Sequence, residues 1–298
     1  MKRVLWALLL VTAAAGAARA KVKVVTTVQT FKALAEEIGG DKVEVSALVG
    51  DNVDPHFVDP RPSYALTLNK ADLLVYVGLD LEKGWLPPLL EQARNKKIQS
   101  GQPGHLDASA SGLAILDVGA GTSRAQGDIH PLGNQHYWLP PENALRVARA
   151  IADRLASIDA GNAEAYEKGY RALAAKVDAR QKAWDAQRKL LAGVKVVTYH
   201  KSWSYLTGWT GLAELGYVEP KPGVPPDPAH LAALVKAARA QGARAVIVES
   251  YYPRNTAQRV ADLGKMKLVV LPSDTGGAQK GYLELVDHLL GQLTAAVK

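Results

Sequence analysis

The sequence contains no cysteine. Disulfides, thiolate metal ligands and thiol nucleophiles are therefore excluded together, and so is the lipidated cysteine by which some exported proteins are anchored. A metal site in this chain has to be built from imidazole and carboxylate, ligands that survive an oxidising compartment. No charge of one sign accumulates either. The formal net charge is +7 over 298 residues, and basic side chains lie among acidic ones, as in Glu164, Lys168, Arg171, Lys176, Asp178 and Arg180. Without a basic stripe interleaved with aromatics, nucleic acid is not an expected partner. There is no internal repeat at a fixed period, no His-Glu-x-x-His and no Gly-x-Ser-x-Gly, so the usual motifs of zinc peptidases and serine hydrolases are missing.

The N-terminus is different in kind. Lys2 and Arg3 precede an apolar run from Leu5 to Ala15, and Ala18-Arg19-Ala20 follows. This is the order of a secretory signal peptide and is too short for a membrane span, so residues 1–20 are read as a signal cleaved after Ala20. Removal of Lys2, Arg3 and Arg19 leaves a mature chain at +4. The expected location is the periplasm, soluble and not lipidated.

The remainder is long enough for two domains of ordinary size, each with its own core. Short apolar runs at 22–27, 43–49, 73–77 and 113–118, then at 194–199, 245–248 and 268–271, alternate with helical patterns at 30–38, 142–158, 228–241 and 282–297. That alternation predicts an α/β fold: two lobes with mainly parallel sheets covered by helices. Between them, 162–191 has no proline and one glycine, with Tyr166, Tyr170, Leu173, Val177, Trp184 and Leu191 at helical spacing. Asn162 can start such a helix, Gly193 can end it, and about 30 residues would reach roughly 45 Å. The stripe is irregular and has no second long partner, which speaks against a coiled coil. The expected division is an N-terminal lobe at 21–161, a linking helix at 162–192 and a C-terminal lobe at 193–298. Segments 100–111 and 119–135, rich in Gly, Ser, Asp and Pro, read as loops.

Three histidines stand where core histidines are not expected. His56 lies in Asp54-Pro55-His56 after the second strand run, His136 in Asn134-Gln135-His136-Tyr137-Trp138-Leu139 before a helix, and His200 at the end of the 194–199 run. Asp274 follows the last strand run in Ser273-Asp274-Thr275-Gly276. Ligands of open α/β sheets sit beyond the carboxyl ends of the strands, so all four can face one cleft. Three neutral imidazoles and a carboxylate suit Zn(II) best and Mn(II) or Fe(II) next; an oxygen-only Ca(II) or Mg(II) site would not use three histidines. Four protein ligands would close a tetrahedron, which favours carriage over hydrolysis. Glu249, ending an apolar strand, is the nearest rival ligand. His130 is a candidate entry ligand. His105, His230 and His288 receive no role, and Trp138, Trp203 and Tyr205 are expected to wall the site from water.

Asp-Pro-His at 54–56, His-Tyr-Trp-Leu at 136–139, Tyr-His-Lys-Ser-Trp-Ser-Tyr at 199–205, Val-Ile-Val-Glu at 246–249 and Ser-Asp-Thr-Gly at 273–276 follow one another in an informative order. The series resembles that of the zinc and manganese solute-binding proteins of bacterial ABC importers, over essentially the whole mature chain. The resemblance implies two α/β lobes joined by a backbone helix, metal held between them by His56, His136, His200 and Asp274, and delivery to a permease in the inner membrane. It also implies no enzymatic activity. A periplasmic metallochaperone is a further candidate partner, and the expected state is a monomer. Manganese-selective members tend to carry a carboxylate in place of the third histidine, so His200 leans toward zinc. The pattern is not followed everywhere: Leu139-Pro140-Pro141 lacks the family's usual acid, Pro62-Ser63-Tyr64 lacks another, and 119–135 is poor in histidine where zinc-binding members often have a histidine-rich loop. The alternatives are a manganese or iron carrier of the same family, a secreted zinc hydrolase with Glu249 as base, and an adhesin.

Overall fold

A computed structural model describes residues 20–118, 132–221 and 223–298. The signal-like segment up to residue 19 and His130 lie outside the described residues.

Runs of Val, Leu and Ile that are covered on both faces form parallel strands, because only a sheet sandwiched between helices can hide them. In the first lobe β1 (Val22–Thr26), β2 (Val43–Ala47), β3 (Leu73–Tyr76) and β4 (His105–Asp107) form a four-stranded parallel sheet in the order β2-β1-β3-β4. The second lobe repeats the order: β5 (Lys195–Thr198), β6 (Ala213–Tyr217), β7 (Ala245–Glu249) and β8 (Lys267–Leu271) run β6-β5-β7-β8, again all parallel. The helices are α1 (Gln29–Gly39), α2 (Pro62–Asn69), α3 (Leu86–Ala93), α4 (Pro141–Ile158), α5 (Ala163–Leu191), α6 (Ser204–Thr210), α7 (Pro228–Gln241), α8 (Arg254–Gly264) and α9 (Tyr282–Val297).

One expected strand is corrected. Residues 113–118 form no strand, and the sheet edge is β4, inside a segment expected to be a loop. Leu113 and Ile115 are partly buried against the core, which accounts for their apolar character. The backbone there is pinned by single bonds instead of a ladder: Leu116 N donates to the Tyr205 hydroxyl at 2.9 Å and Leu116 O accepts from Asn134 N at 2.8 Å.

The helix termini follow local chemistry. Asp227 caps α7 by accepting from His230 N at 2.8 Å, Pro228 occupies its first turn, and Gly242 ends it at φ 71°. By contrast α1 has Val28 at its N-cap and no acid in its first turn, so its own sequence supplies no cap. The long α5 buries Tyr166, Leu173, Val177, Trp184 and Leu191. It approaches α1 closely at Gly169, where a Cβ would stand 2.1 Å from the Ile38 carbonyl oxygen.

The lobes do not keep separate cores. One buried cluster runs from Val22, Phe31 and Val75 of the first lobe through Tyr166 and Trp184 of α5 to Val196, Ile247 and Leu289 of the second. Among the described residues the outer faces have their own clusters, under α2 and α3 on one side and α7 and α8 on the other. The expectation of two independently cored domains gives way to two sheets sharing one interior.

Candidate metal centre

In both sheets the strand order reverses beside the first strand, so the loops after neighbouring strands diverge there and leave a crevice. His56 is carried on the loop after β2, His200 directly after β5, and His136 in the segment entering α4. The structure brings these three together. Their ring centroids are 5.1, 5.4 and 5.4 Å apart, and one nitrogen from each lies within 4.8 Å of the others. His56, His136 and His200 are 9%, 1% and 2% exposed.

Each imidazole is oriented through Nδ1. His56 Nδ1 donates to Asp54 Oδ1 at 2.7 Å, His136 Nδ1 to Asn134 Oδ1 at 3.0 Å, and His200 Nδ1 to Glu219 Oε2 at 2.9 Å. The ionised Asp54 carboxylate and the Asn134 amide oxygen only accept, so on His56 and His136 the ring proton sits on Nδ1 and the lone pair on Nε2; His200 takes the same arrangement when Glu219 is ionised. All three Nε2 atoms are buried. This is the tautomer that metal ligation by Nε2 requires, and an acceptor behind Nδ1 raises the basicity of the ligating nitrogen.

Two of these supports are local devices. Asp54 Oδ1 also accepts from His56 N at 3.0 Å, and Asn134 Oδ1 from His136 N at 3.0 Å. An Asx turn two residues upstream thus fixes backbone and ring at once. Asn134 is itself held, its side-chain Nδ2 donating to Lys201 O at 2.9 Å and its backbone carbonyl oxygen accepting from the Tyr205 hydroxyl at 2.9 Å, which links the His136 loop to the second lobe. Asp54 and Asn134 each stand two residues ahead of a histidine, and that i−2 spacing is the sequence signal of this support. Glu219, just past the neighbouring strand β6, left no signal in the sequence.

The electrostatics differ between the supports. Burial pushes the Asp54 carboxyl up, but the hydrogen bonds from His56 outweigh it and hold the group below the usual carboxylate range. Glu219 is raised to about 7 by burial, against the Gly223 N–H that favours its ionised form. Replacing Glu219 with alanine should free the His200 ring to rotate and weaken metal binding by about 10–100-fold, read by chelator competition.

Asp274 and Glu249 are not part of the three-histidine group. Asp274 lies instead at the N-terminus of α1 in the other lobe. Its Oδ2 accepts from Gln29 N at 2.8 Å, and its Oδ1 accepts from Thr30 N at 2.6 Å, from Thr275 N at 3.0 Å and from the Thr30 hydroxyl. Burial raises its pKa to about 6 in spite of those bonds. Glu249 closes β7 fully buried, and burial raises it to about 8, with the Ser202 hydroxyl working in the opposite sense. A carboxyl whose folded pKa lies above its unfolded value contributes stability that is complete at low pH and is lost as pH rises through the folded value. Glu249→Gln should therefore raise the melting temperature of the chelator-treated protein by about 2–4 °C at pH 8 and leave it nearly unchanged at pH 5.

Aromatic rings close the surroundings. Trp138 is 5.8 Å from His136 between ring centroids, and Tyr252 is 6.1 Å from His200. Trp203 is fully buried and the Tyr205 hydroxyl donates into the His136 loop, as described above. His105 is engaged elsewhere, with Nδ1 on Ile98 O and Nε2 on the Tyr76 hydroxyl, and His230 contacts Tyr217 O.

Two parallel α/β lobes bridged by a long helix, with imidazoles gathered at the strand ends between them, define the class of substrate-binding proteins of metal ABC transporters. Residues 24–296 match the model of the ZnuA family, described as zinc-uptake complex component A, periplasmic, and the chain belongs to that family. Among its relatives, the zinc-binding lipoprotein AdcA of Streptococcus pneumoniae is 26% identical over 247 residues, which are 81% of this chain and 47% of AdcA. The iron ABC transporter substrate-binding lipoprotein MtsA of Streptococcus pyogenes is 25% identical over 81% of this chain and 76% of its own length. The chain thus spans about half the length of the first of these relatives. Among solved structures, a zinc-bound ZnuA deletion mutant superposes with a TM-score of 0.78 at 23% identity, covering 93% of this chain and 98% of the other. A manganese-bound periplasmic metal-binding protein from Candidatus Liberibacter asiaticus gives 0.76 at 20% identity, covering 93% and 100%. These likenesses establish the two-lobe fold.

Proposed function

We propose that this protein captures Zn(II) outside the cytoplasm, in a site made by His56, His136 and His200, and hands it to an ABC permease in the inner membrane. The observation that carries the reading is the common orientation of the three imidazoles: each Nδ1 is held by its own acceptor, and the three rings converge within 4.8 Å. Three nitrogen donors favour zinc over manganese, which prefers oxygen. Among the relatives, AdcA is named for zinc and MtsA for iron, so the same scaffold serves more than one metal. The working division is a lobe at 21–161, a linking helix at 162–192 and a lobe at 193–298, acting as a monomer. The proposed location is the periplasm; AdcA and MtsA are named lipoproteins.

With Asp274 engaged at α1, the proposed set is three imidazoles and one exchangeable position. Enclosure of the three rings is what disfavours hydrolysis. A hydrolase must bring a substrate to the metal, and imidazoles no more than 9% exposed leave it little surface from which to do so. Competitive titration of chelator-treated protein with zinc, manganese and iron, with elemental analysis of the purified protein, tests the reading. One zinc per chain that manganese and iron fail to displace is the expected result; displacement by either at equal concentration would overturn it.

A further inference from the structure

The sequence resemblance casts Asp274 as a metal ligand, but its surroundings are those of a helix cap. Val28 stands at the N-cap of α1 and offers no side-chain acceptor, and the first turn of α1 holds no acid. The exposed N–H groups of that turn, with their positive end of the helix dipole, need an acceptor from elsewhere. Asp274 supplies it from 245 residues away, taking Gln29 N on one oxygen and Thr30 N on the other. The turn that carries it is tied down around it. Thr275 N donates to the Thr30 hydroxyl at 3.2 Å, Gly277 N donates to Asp51 Oδ2 at 2.8 Å, and Ser273 O accepts from Trp138 Nε1 at 2.9 Å. Gly276, at φ 130°, lies so close to Asp51 that a Cβ would be 2.6 Å from its carboxylate oxygen, so only glycine brings this turn so near the first lobe.

We infer that Asp274 is a clamp between the lobes, capping α1 from the second lobe and holding Trp138 against His136, and that it keeps this place when metal is bound. Oδ1 accepts three hydrogen bonds and Oδ2 one, so a metal would have to break a charge-assisted set to recruit it. Trp138 is the link to the metal centre: its indole N–H is fixed by Ser273 and its ring packs 5.8 Å from that of His136. Loosening the clamp frees the wall of the site without removing a ligand. This effect on metal retention rests on the three-histidine reading; the clamp itself does not.

The test is amide hydrogen exchange at Gln29 and Thr30 in the full chain, with a chelator and with one equivalent of zinc, for the wild type, Asp274→Ala and Asp274→Asn. In the wild type both amides should be equally protected in the two conditions. Asp274→Ala should exchange them about tenfold faster, and Asp274→Asn, which keeps an acceptor, should fall between. Both variants should still bind one zinc, with dissociation into a chelator about tenfold faster for the alanine variant. Release of the two amides on adding zinc to the wild type would overturn the inference and make Asp274 a ligand, as would loss of stoichiometric zinc in Asp274→Asn. Exchange unchanged in both variants would overturn it as well. If the wild type binds no zinc, the function proposed above falls, and the chelator-treated exchange comparison still decides the clamp.

Discussion

His200→Ala should lower zinc affinity by more than ~100-fold, since even loss of a group that merely orients a ligand costs 10–100-fold in metal sites. The substitution removes one of three nitrogen donors and leaves Glu219 facing a void lined by His56 and His136. Two imidazoles set by Asx turns remain, too few to hold zinc against a competing chelator. His56→Ala and His136→Ala should behave alike, because the three rings are at nearly equal spacing and none is peripheral. Chelator competition gives the affinity, and circular dichroism shows whether the fold is retained. A folded His200→Ala protein with one zinc at wild-type affinity would remove His200 from the site.

Acid should release the metal while the fold holds. Imidazole ligates only when neutral and its reference pKa is about 6.5, so lowering the pH from 7.5 to 5.5 sets protons against zinc at three positions and should cost about 100–1,000-fold in affinity. The fold responds in the opposite direction over part of that range. Glu82 is raised to about 7 and Glu249 to about 8, in each case by burial above all. For both, the native state binds more protons than the unfolded state between the ordinary and the raised pKa, so stability from these groups grows as pH falls through the raised value. Metal loss at pH 5.5 should therefore occur without a drop in melting temperature of the chelator-treated protein. Zinc affinity that stays constant from pH 7.5 to 5.5 would contradict a site of three imidazoles.

The parts of the fold that could be read in advance are those in which one physical signal is strong. Helices α7 and α9 begin and end where proline, glycine and the apolar stripe place them, and α5 begins one residue after Asn162. What escaped was short or lacked a stripe. Pro62–Asn69 and Leu86–Ala93 are two-turn helices that begin at or beside proline, and α8 buries mainly small residues, Ala257, Ala261 and Gly264, with Val260 as its one large anchor. Strand β6 is half-buried at all five positions, with Glu214 and Gly216 inside it, so it shows neither a buried run nor an alternation. At the site, the histidines were legible because imidazole at strand exits is unusual. Motif order carried no sign of the contacts Asp274 makes, because its hydrogen bonds to α1 answer a cap missing 245 residues earlier.

The shared interior under both sheets has a consequence for exchange. A carrier whose halves are cored separately can swing them apart about a hinge and expose its cargo in one motion. Here such a swing would tear Tyr166, Trp184 and their neighbours out of a continuous apolar interior, together with the Trp184–Asp287 and Tyr282–Leu139 hydrogen bonds. On the proposed function, metal would then leave by local movement around the histidines over a body that stays shut. Residues 133–139 are buried around His136 and tied to the second lobe through Asn134, so the loop that bears His56, next to the exposed Phe57, would be the part that yields first.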